Sequence, residues 1–372
     1  MSTKNENMSQ LLSLESLTVK GSFEEMGRAY GQHYQTKIKQ FIEMRLSSAE
    51  GYFKTWGRGS VDELLAKGAQ CWTQALSFDP MAAREQEAIA FAVGVTPELL
   101  YAATNMTDVR DAVLLPDVSP PDEDEGCTSL LIPPTDNTQS FYGQSWDLNP
   151  PDIDFVFALH RLPDTGPETW TVTCTGCMTL VGMNEYGVSV GTTNLKTWKS
   201  RVGVGYLSVL HKAVTQKDFA AASLVCETAP VAGAHSYWIG NADQGIEWER
   251  SPDDAFKRDT SNGAIGRSNH CLFKEHQDRE WINPSPSSAS RYDRVTELLT
   301  KSDEHSLDSV KAIFADRSDG VYSINRYVED AQGTITNSVV ITDPKHGVLH
   351  ACRGSADRGE WRTLEFERKG NQ

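Results

Sequence analysis

The sequence predicts an α+β protein in which antiparallel sheets are covered by helical layers. Two features of the chain predict it. Apolar residues recur at helical spacing up to about residue 115, and from residue 127 onward short strand-like runs follow one another in hairpin pairs with helical segments set between them.

Taken in order, residues 13–20 alternate like an edge strand. Gly21-Ser22 leads into one long amphipathic helix, Phe23 to Ser47, with Ser22 as N-cap and Glu25 closing a capping box. Met26, Tyr30, Tyr34, Ile38 and Phe41 form its core face, and Gly27 and Gly31 leave room for a close neighbour. Helices follow over Val61–Leu76 and Met81–Val93, and Thr96-Pro97 starts another with proline in its first turn. The acidic, proline-rich stretch Asp117 to Asp124 breaks the pattern. Strands are expected over residues 127–132, 140–147, 155–161, 169–175, 179–184 and 188–194, the last two joined by a turn at Asn184-Glu185-Tyr186-Gly187. Helices over 205–215 and 219–228 precede a hairpin, 236–241 with 245–250, and an extended piece at 264–269. Helices over 288–301 and 307–315, the latter capped by Ser306, lead to strands over 334–342, 347–351 and 361–366.

The formal net charge of −16, with no basic stripe, argues against nucleic acid as a partner. No apolar run reaches membrane-spanning length, and residues 1–7 lack the apolar core of a secretory signal, so the expected compartment is the cytoplasm. Seven scattered cysteines suit a reducing compartment. Cys174-Thr175-Gly176-Cys177 is the only C-x-x-C; a zinc site would need two more ligands and no second close pair exists, so no metal or cofactor is expected.

The chemistry centres on Glu125-Gly126-Cys127-Thr128-Ser129-Leu130-Leu131-Ile132. A loop that cannot be helical runs to Gly126, then Cys127 opens a strand ended by Pro133-Pro134. A self-cleaving N-terminal nucleophile needs this order, because the glycine carbonyl must be open to the next residue's thiol. Cleavage would give Cys127 a free α-amine, whose ordinary pKa of roughly 7.7–8.0 lets it act as the base for its own thiol. The octapeptide alone fits a buried structural cysteine better.

If the strands at 127–132 and 140–147 form a hairpin with Ile132 near Phe141 or Tyr142, Cys127 lies opposite Trp146 or Asp147. Asp147 could then hold the ammonium of Cys127 or a substrate group. Asn194 and Asn269, at strand ends, are neutral donors suited to an oxyanion. Ser290-Arg291, near a helix start, could anchor the site or a carboxylate. Each of these also fits an ordinary turn, hairpin or solvated helix residue.

Several motifs in order resemble one family. They are Gly21 to Gly31, Gly126-Cys127-Thr128, Gly143-Gln144-Ser145-Trp146-Asp147, the Gly182-Met183-Asn184 turn with Gly187, the Asn194 strand, Ser268-Asn269-His270, Ser290-Arg291 and Asn337-Ser338-Val339-Val340. The chain is similar over most of its length to the acyl-coenzyme A:6-aminopenicillanic acid acyltransferase family (isopenicillin-N acyltransferase-like, peptidase C45) of N-terminal nucleophile hydrolases. The resemblance implies a four-layer αββα fold with a mainly helical segment before the nucleophile. It implies that Cys127 is the nucleophile freed by autocleavage after Gly126, Asp147 the acid on the neighbouring strand, Asn269 an oxyanion and amine partner, and Arg291 a support. Asn194 matches the choloylglycine hydrolase branch better.

The expected organisation is a helical segment 1–126 and a catalytic segment 127–372, together one globular unit. The expected activity is an amidohydrolase cleaving a linear N-acyl amine or N-acyl amino acid through a Cys127 thioester. The alternative is an acyltransferase moving an acyl group from acyl-coenzyme A or an amide to an amine. The expected partners are a small-molecule amide and the chain's own cleaved N-terminal piece. Two further readings stay open: a zinc or redox protein built on Cys174 and Cys177, and an uncleaved ligand-binding protein.

Overall fold

Two sheets lie face to face between helical layers in the computed structural model, which describes residues 11–115, 126–280 and 284–368. The stretch from Asp117 to Asp124 falls outside the described residues. Before residue 115 come strand β1 (Ser16–Gly21) and helices α1 (Phe23–His33), α2 (Gln35–Trp56), α3 (Val61–Phe78), α4 (Pro80–Val93), α5 (Pro97–Thr104) and α6 (Met106–Leu114). The strands that follow are β2 (Gly126–Ile132), β3 (Phe141–Leu148), β4 (Val156–Pro163), β5 (Thr169–Cys174), β6 (Val181–Asn184) and β7 (Ser189–Leu195). Then come α7 (Tyr206–Val214), α8 (Phe219–Thr228), β8 (Ala234–Gly240), β9 (Gly245–Arg250), β10 (Ala255–Asp259), β11 (Ile265–Arg267) and the single turn α9 (Lys274–Gln277). The chain ends with α10 (Pro286–Thr300), α11 (Leu307–Phe314), β12 (Ile335–Asp343), β13 (Val348–Arg353) and β14 (Arg362–Glu365).

One sheet has eight strands in the order β1-β4-β5-β6-β7-β8-β9-β10, and the other has six, β11-β2-β3-β12-β13-β14. Every pairing is antiparallel except β1 with β4. The core divides as the layers do. Leu131, Tyr142 and Val340 from the six-stranded sheet meet Val172, Val190 and Ile239 from the other. Leu130, Ile132 and Phe141 turn the opposite way, onto Val295 of α10 and Phe314 of α11. Phe157 and Leu159 of β4 pack on Met26, Ile38 and Ile89 of the first helical layer. Alternation along β2 therefore feeds two cores, odd residues between the sheets and even residues under α10.

The long first helix is broken in two. Tyr34, φ −108° and ψ 23°, ends α1 and caps α2, and the second piece runs on to Trp56. The apolar spacing continues across the break, which is why the sequence reads as one helix. The Ser22–Glu25 capping box is present. Gly27 and Gly31 are needed where α1 crosses α4: a methyl group at Gly27 would lie 2.3 Å from the Glu85 carbonyl oxygen, and one at Gly31 would lie 2.7 Å from that of Ile89. Strand β10 was not expected; it is a half-buried edge strand whose Lys257 and Arg258 hide the alternation. Among the described residues no helix is long and apolar enough to cross a membrane.

The sheets are tied together near residue 127 by Gln144 of β3. Its side-chain oxygen accepts from Thr192 N (2.7 Å) on β7 and from Trp238 Nε1 (2.8 Å) on β8. Gly191 permits this, since a methyl group there would lie 2.5 Å from that oxygen.

Candidate active site

Strand β2 lies second from the edge of the six-stranded sheet, between β11 and β3. Its register with β3 pairs Gly126 with Asp147 and Cys127 with Trp146, the first of the two expected alignments. Alternation then separates the pairs. Cys127 and Trp146 face the space between the sheets. Gly126 and Asp147 share the other face, where a methyl group on Gly126 would lie 3.1 Å from Asp147 Cβ.

Cys127 is 7% exposed and lines a pocket between the sheets with Trp146, Asn194, Asn269, Tyr206 and His235. Its backbone N–H donates to Asn269 Oδ1 at 2.8 Å. Arg291 donates to the Cys127 carbonyl oxygen, to Thr128 Oγ1 at 3.2 Å and to Asn269 Oδ1 at 2.9 Å. A guanidinium only donates, so the Asn269 atom facing it must be the oxygen. The Asn269 amide nitrogen then points the other way and donates to the Asn194 carbonyl oxygen at 3.0 Å. That bond uses one of two amide hydrogens and leaves the second for a reacting group.

The loop bearing Asn269 is held from α10. Ser288 Oγ accepts the Asn269 N–H at 2.9 Å and bonds His270 Nδ1 at 2.9 Å and Ser268 Oγ at 3.0 Å. Deeper in, Arg267 bridges Glu247 and Glu249 and donates to the His270 carbonyl oxygen at 2.9 Å. Burial, then Arg267 and Arg291, push His270 down to about 4, so it is neutral at physiological pH and a poor base.

Asp147 is buried, and burial pushes its carboxyl up to about 6 against the pull of Arg326 first and Arg291 second. Among the described residues neither oxygen makes a hydrogen bond of good geometry, although the Thr336 and Ser145 hydroxyls lie close enough to favour the ionised form.

Of the expected site residues, Cys127, Trp146, Asn194, Asn269 and Arg291 come together, with Asn194 reaching Asn269 through its main chain. Asp147 lines the same pocket, with its side chain beside Gly126 on the ladder face opposite that of the thiol. Ser290 is half-buried and shares none of these bonds. The places foreseen for it belong to Ser287, which accepts from Arg291 Nε at 3.3 Å, and Ser288. Residues four and three before Arg291 share its helix face, whereas Ser290 is turned about 100° away. Helical spacing could have found that pair.

Two other features carried no motif. Arg326, in irregular chain before β12, reaches Gly126 only through the tertiary fold. His235 in the pocket wall bonds Asp108 of α6 at 2.6 Å, and Asp108 also accepts from Tyr206 N at 2.7 Å, so chain from both sides of residue 126 builds the wall. Cys174 and Cys177 are buried with thiols pushed up by burial, the reverse of a reactive pair.

Two sheets between helical layers, with a cysteine near the start of an inner strand, define the N-terminal nucleophile hydrolase fold. The chain belongs to the acyl-coenzyme A:6-aminopenicillanic acid acyl-transferase family, whose sequence model matches residues 134–358. It is 29% identical over 196 residues to the 40 kDa form of acyl-coenzyme A:6-aminopenicillanic-acid-acyltransferase of Emericella nidulans. That alignment takes in 51% of this chain, which spans about half the relative's length, 52%. Similar solved structures include a mutant conjugated bile acid hydrolase from Clostridium perfringens, 11% identical, covering 65% of this chain and 97% of that one, TM-score 0.41. A Caenorhabditis elegans N-acylethanolamine-hydrolyzing acid amidase ortholog is 10% identical, covering 64% and 100%, TM-score 0.44. The penicillin V acylase of Agrobacterium tumefaciens is 14% identical, covering 65% and 86%, TM-score 0.43.

Proposed function

We propose that this chain cuts itself between Gly126 and Cys127 and then works as a cysteine amidohydrolase on a small linear amide, an N-acyl amine or N-acyl amino acid. The observation that carries the reading is the grip on Cys127: its nitrogen is held at 2.8 Å by Asn269 Oδ1, which Arg291 orients in turn. A structural cysteine needs no such arrangement around its own nitrogen.

In self-cleavage the Cys127 sulfur attacks the Gly126 carbonyl carbon, the C–N bond breaks, and the thiol proton goes to the departing nitrogen. Water then cleaves the thioester, leaving a carboxylate on Gly126 and an ammonium on Cys127. In turnover the free amine takes the thiol proton, the thiolate attacks the substrate carbonyl, and the second Asn269 amide hydrogen supports the oxyanion. Protonated by the thiol, the amine returns its proton to the leaving amine, and water hydrolyses the acyl-enzyme.

The two pieces, 1–126 and 127–372, are proposed to stay together as one globular unit. The Asp108–His235 bond and the packing of α6 support this. The scattered, buried cysteines Cys71, Cys174, Cys177, Cys226, Cys271 and Cys352 are free thiols, which suits a reducing, cytoplasmic setting.

Family membership favours a second reading, acyl transfer from acyl-coenzyme A or an amide to an amine. Cleaved protein given a phenylacetyl thioester, with and without glycine amide as acceptor, separates the two. A hydrolase releases phenylacetate at the same rate in both, whereas a transferase diverts most of the acyl group into the new amide. No release in either case from fully cleaved protein contradicts both.

A further inference from the structure

We propose that the cavity between α4, α7 and the end of β4 is a second binding site, for a small carboxylate with a short apolar body, whose anion completes the open edge of Arg161.

Arg161 lies near the end of β4 and is fully buried. A guanidinium carries five N–H donors in a rigid fork. Glu85 of α4 takes one edge of the fork, accepting from Nε at 2.8 Å and from Nη2. Nη1 is left over: it is buried and has no hydrogen-bond partner among the described residues. Buried donors are paired almost throughout folded proteins, so an open one on a charged group calls for an acceptor. The open edge gives onto a cavity that Arg161 lines and Glu85 does not.

The cavity has a volume of about 230 Å³. One water takes up about 30 Å³ of the liquid, so a single bridging water would leave most of the space empty. Phe23 and Met81 are also on the lining and offer water nothing to bond. A short hydrocarbon body covers them, while its carboxylate reaches Arg161.

The charges on the lining suit an anion. Lys212 of α7 supplies a second cation. Its Nζ donates to the Phe78 carbonyl oxygen, lies 4.1 Å from the Phe78 ring centroid, and forms no ion pair among the described residues. Asp79 is the acid on the lining, and it is already engaged: its Oδ1 caps α4 by accepting from Ala82 N at 3.1 Å. The first turn of α4 brings the positive end of its helix dipole to the same space. The last turn of α7 brings a negative end, which Lys212 offsets. His211 bonds Thr179 Oγ1 through Nδ1 at 3.0 Å. Burial first and the Arg161 charge second hold its imidazole well below the usual range, so it adds a polar ring without charge. The cavity shares no lining residue with the Cys127 pocket, which α7 reaches only at its other end, through Tyr206.

The test titrates folded full-length protein with butyrate at low salt and follows binding by saturation-transfer NMR, with butanol as the uncharged control. Butyrate should bind saturably and butanol should not. Lys212→Gln keeps a donor for the Phe78 carbonyl but loses the charge. It should weaken butyrate binding about tenfold, the worth of one charged hydrogen bond. Arg161→Met combined with Glu85→Met removes the open edge without stranding a buried carboxylate, and should abolish binding. Butyrate held in the Cys127 pocket instead would ignore both changes. Binding that survives either change undiminished in folded protein overturns the inference. So does butanol binding as well as butyrate, or a wild type that shows no saturable binding. If the double variant does not fold, Lys212→Gln decides by the same measure.

Discussion

Cys127→Ala stays in one piece and turns over no amide. In the proposed mechanism both steps run through one sulfur, so a single atom's removal should abolish both. The loss should be complete to the limit of detection, because Asn269 and Arg291 orient groups but supply no nucleophile. The other six cysteines cannot take over: all are buried, and burial pushes up the thiols of Cys71, Cys174, Cys177, Cys226, Cys271 and Cys352. Cys127→Ser should cut slowly and hydrolyse poorly, since a hydroxyl forms its anion far less readily than a thiol. Mass spectrometry and a phenylacetyl-amide assay read both steps, and normal turnover by Cys127→Ala would move the chemistry elsewhere.

Asn269→Ala in cleaved enzyme should lower kcat roughly 10²–10³-fold, about 2.7–4 kcal/mol of lost oxyanion stabilisation. Ground-state binding should change much less, because the donor matters most where negative charge develops. The loss should also reach the nucleophile, since Asn269 Oδ1 holds the Cys127 nitrogen and receives Arg291. Protein must therefore be shown to be cleaved before kcat is measured. His270→Gln is the neighbouring control. With its imidazole pushed down to about 4 and bonded to Ser288, it should cost far less. If His270 proved essential and Asn269 silent, a conventional Cys–His pair would replace the amine mechanism.

The register that sets Cys127 against Trp146 was legible because hairpin partners keep a constant sum of residue numbers, and Pro133-Pro134 limits where the turn can fall. The face was harder to read. The same alternation that brings Asp147 level with Gly126 turns its side chain away from the thiol, and only the two separate cores show which face is which. Arg291 and Asn269 were reached through motifs, but the motif favoured Ser290, whereas helical spacing puts Ser287 and Ser288 beside Arg291. Arg326 and the Asp108–His235 pair left no trace in the sequence, because Arg326 meets Gly126, and Asp108 meets His235, across more than 100 residues of chain. Strand β10 was hidden for a local reason, charged residues on an edge strand.

One peptide bond decides the mechanism, and the intact mass of freshly folded wild-type protein tests its cleavage most directly. It should show an N-terminal piece ending at Gly126 and a second piece of the remaining 246 residues, out of 372, beginning with Cys127. The two should elute together under native conditions. A single uncut chain that is nonetheless active on amides would contradict the central claim.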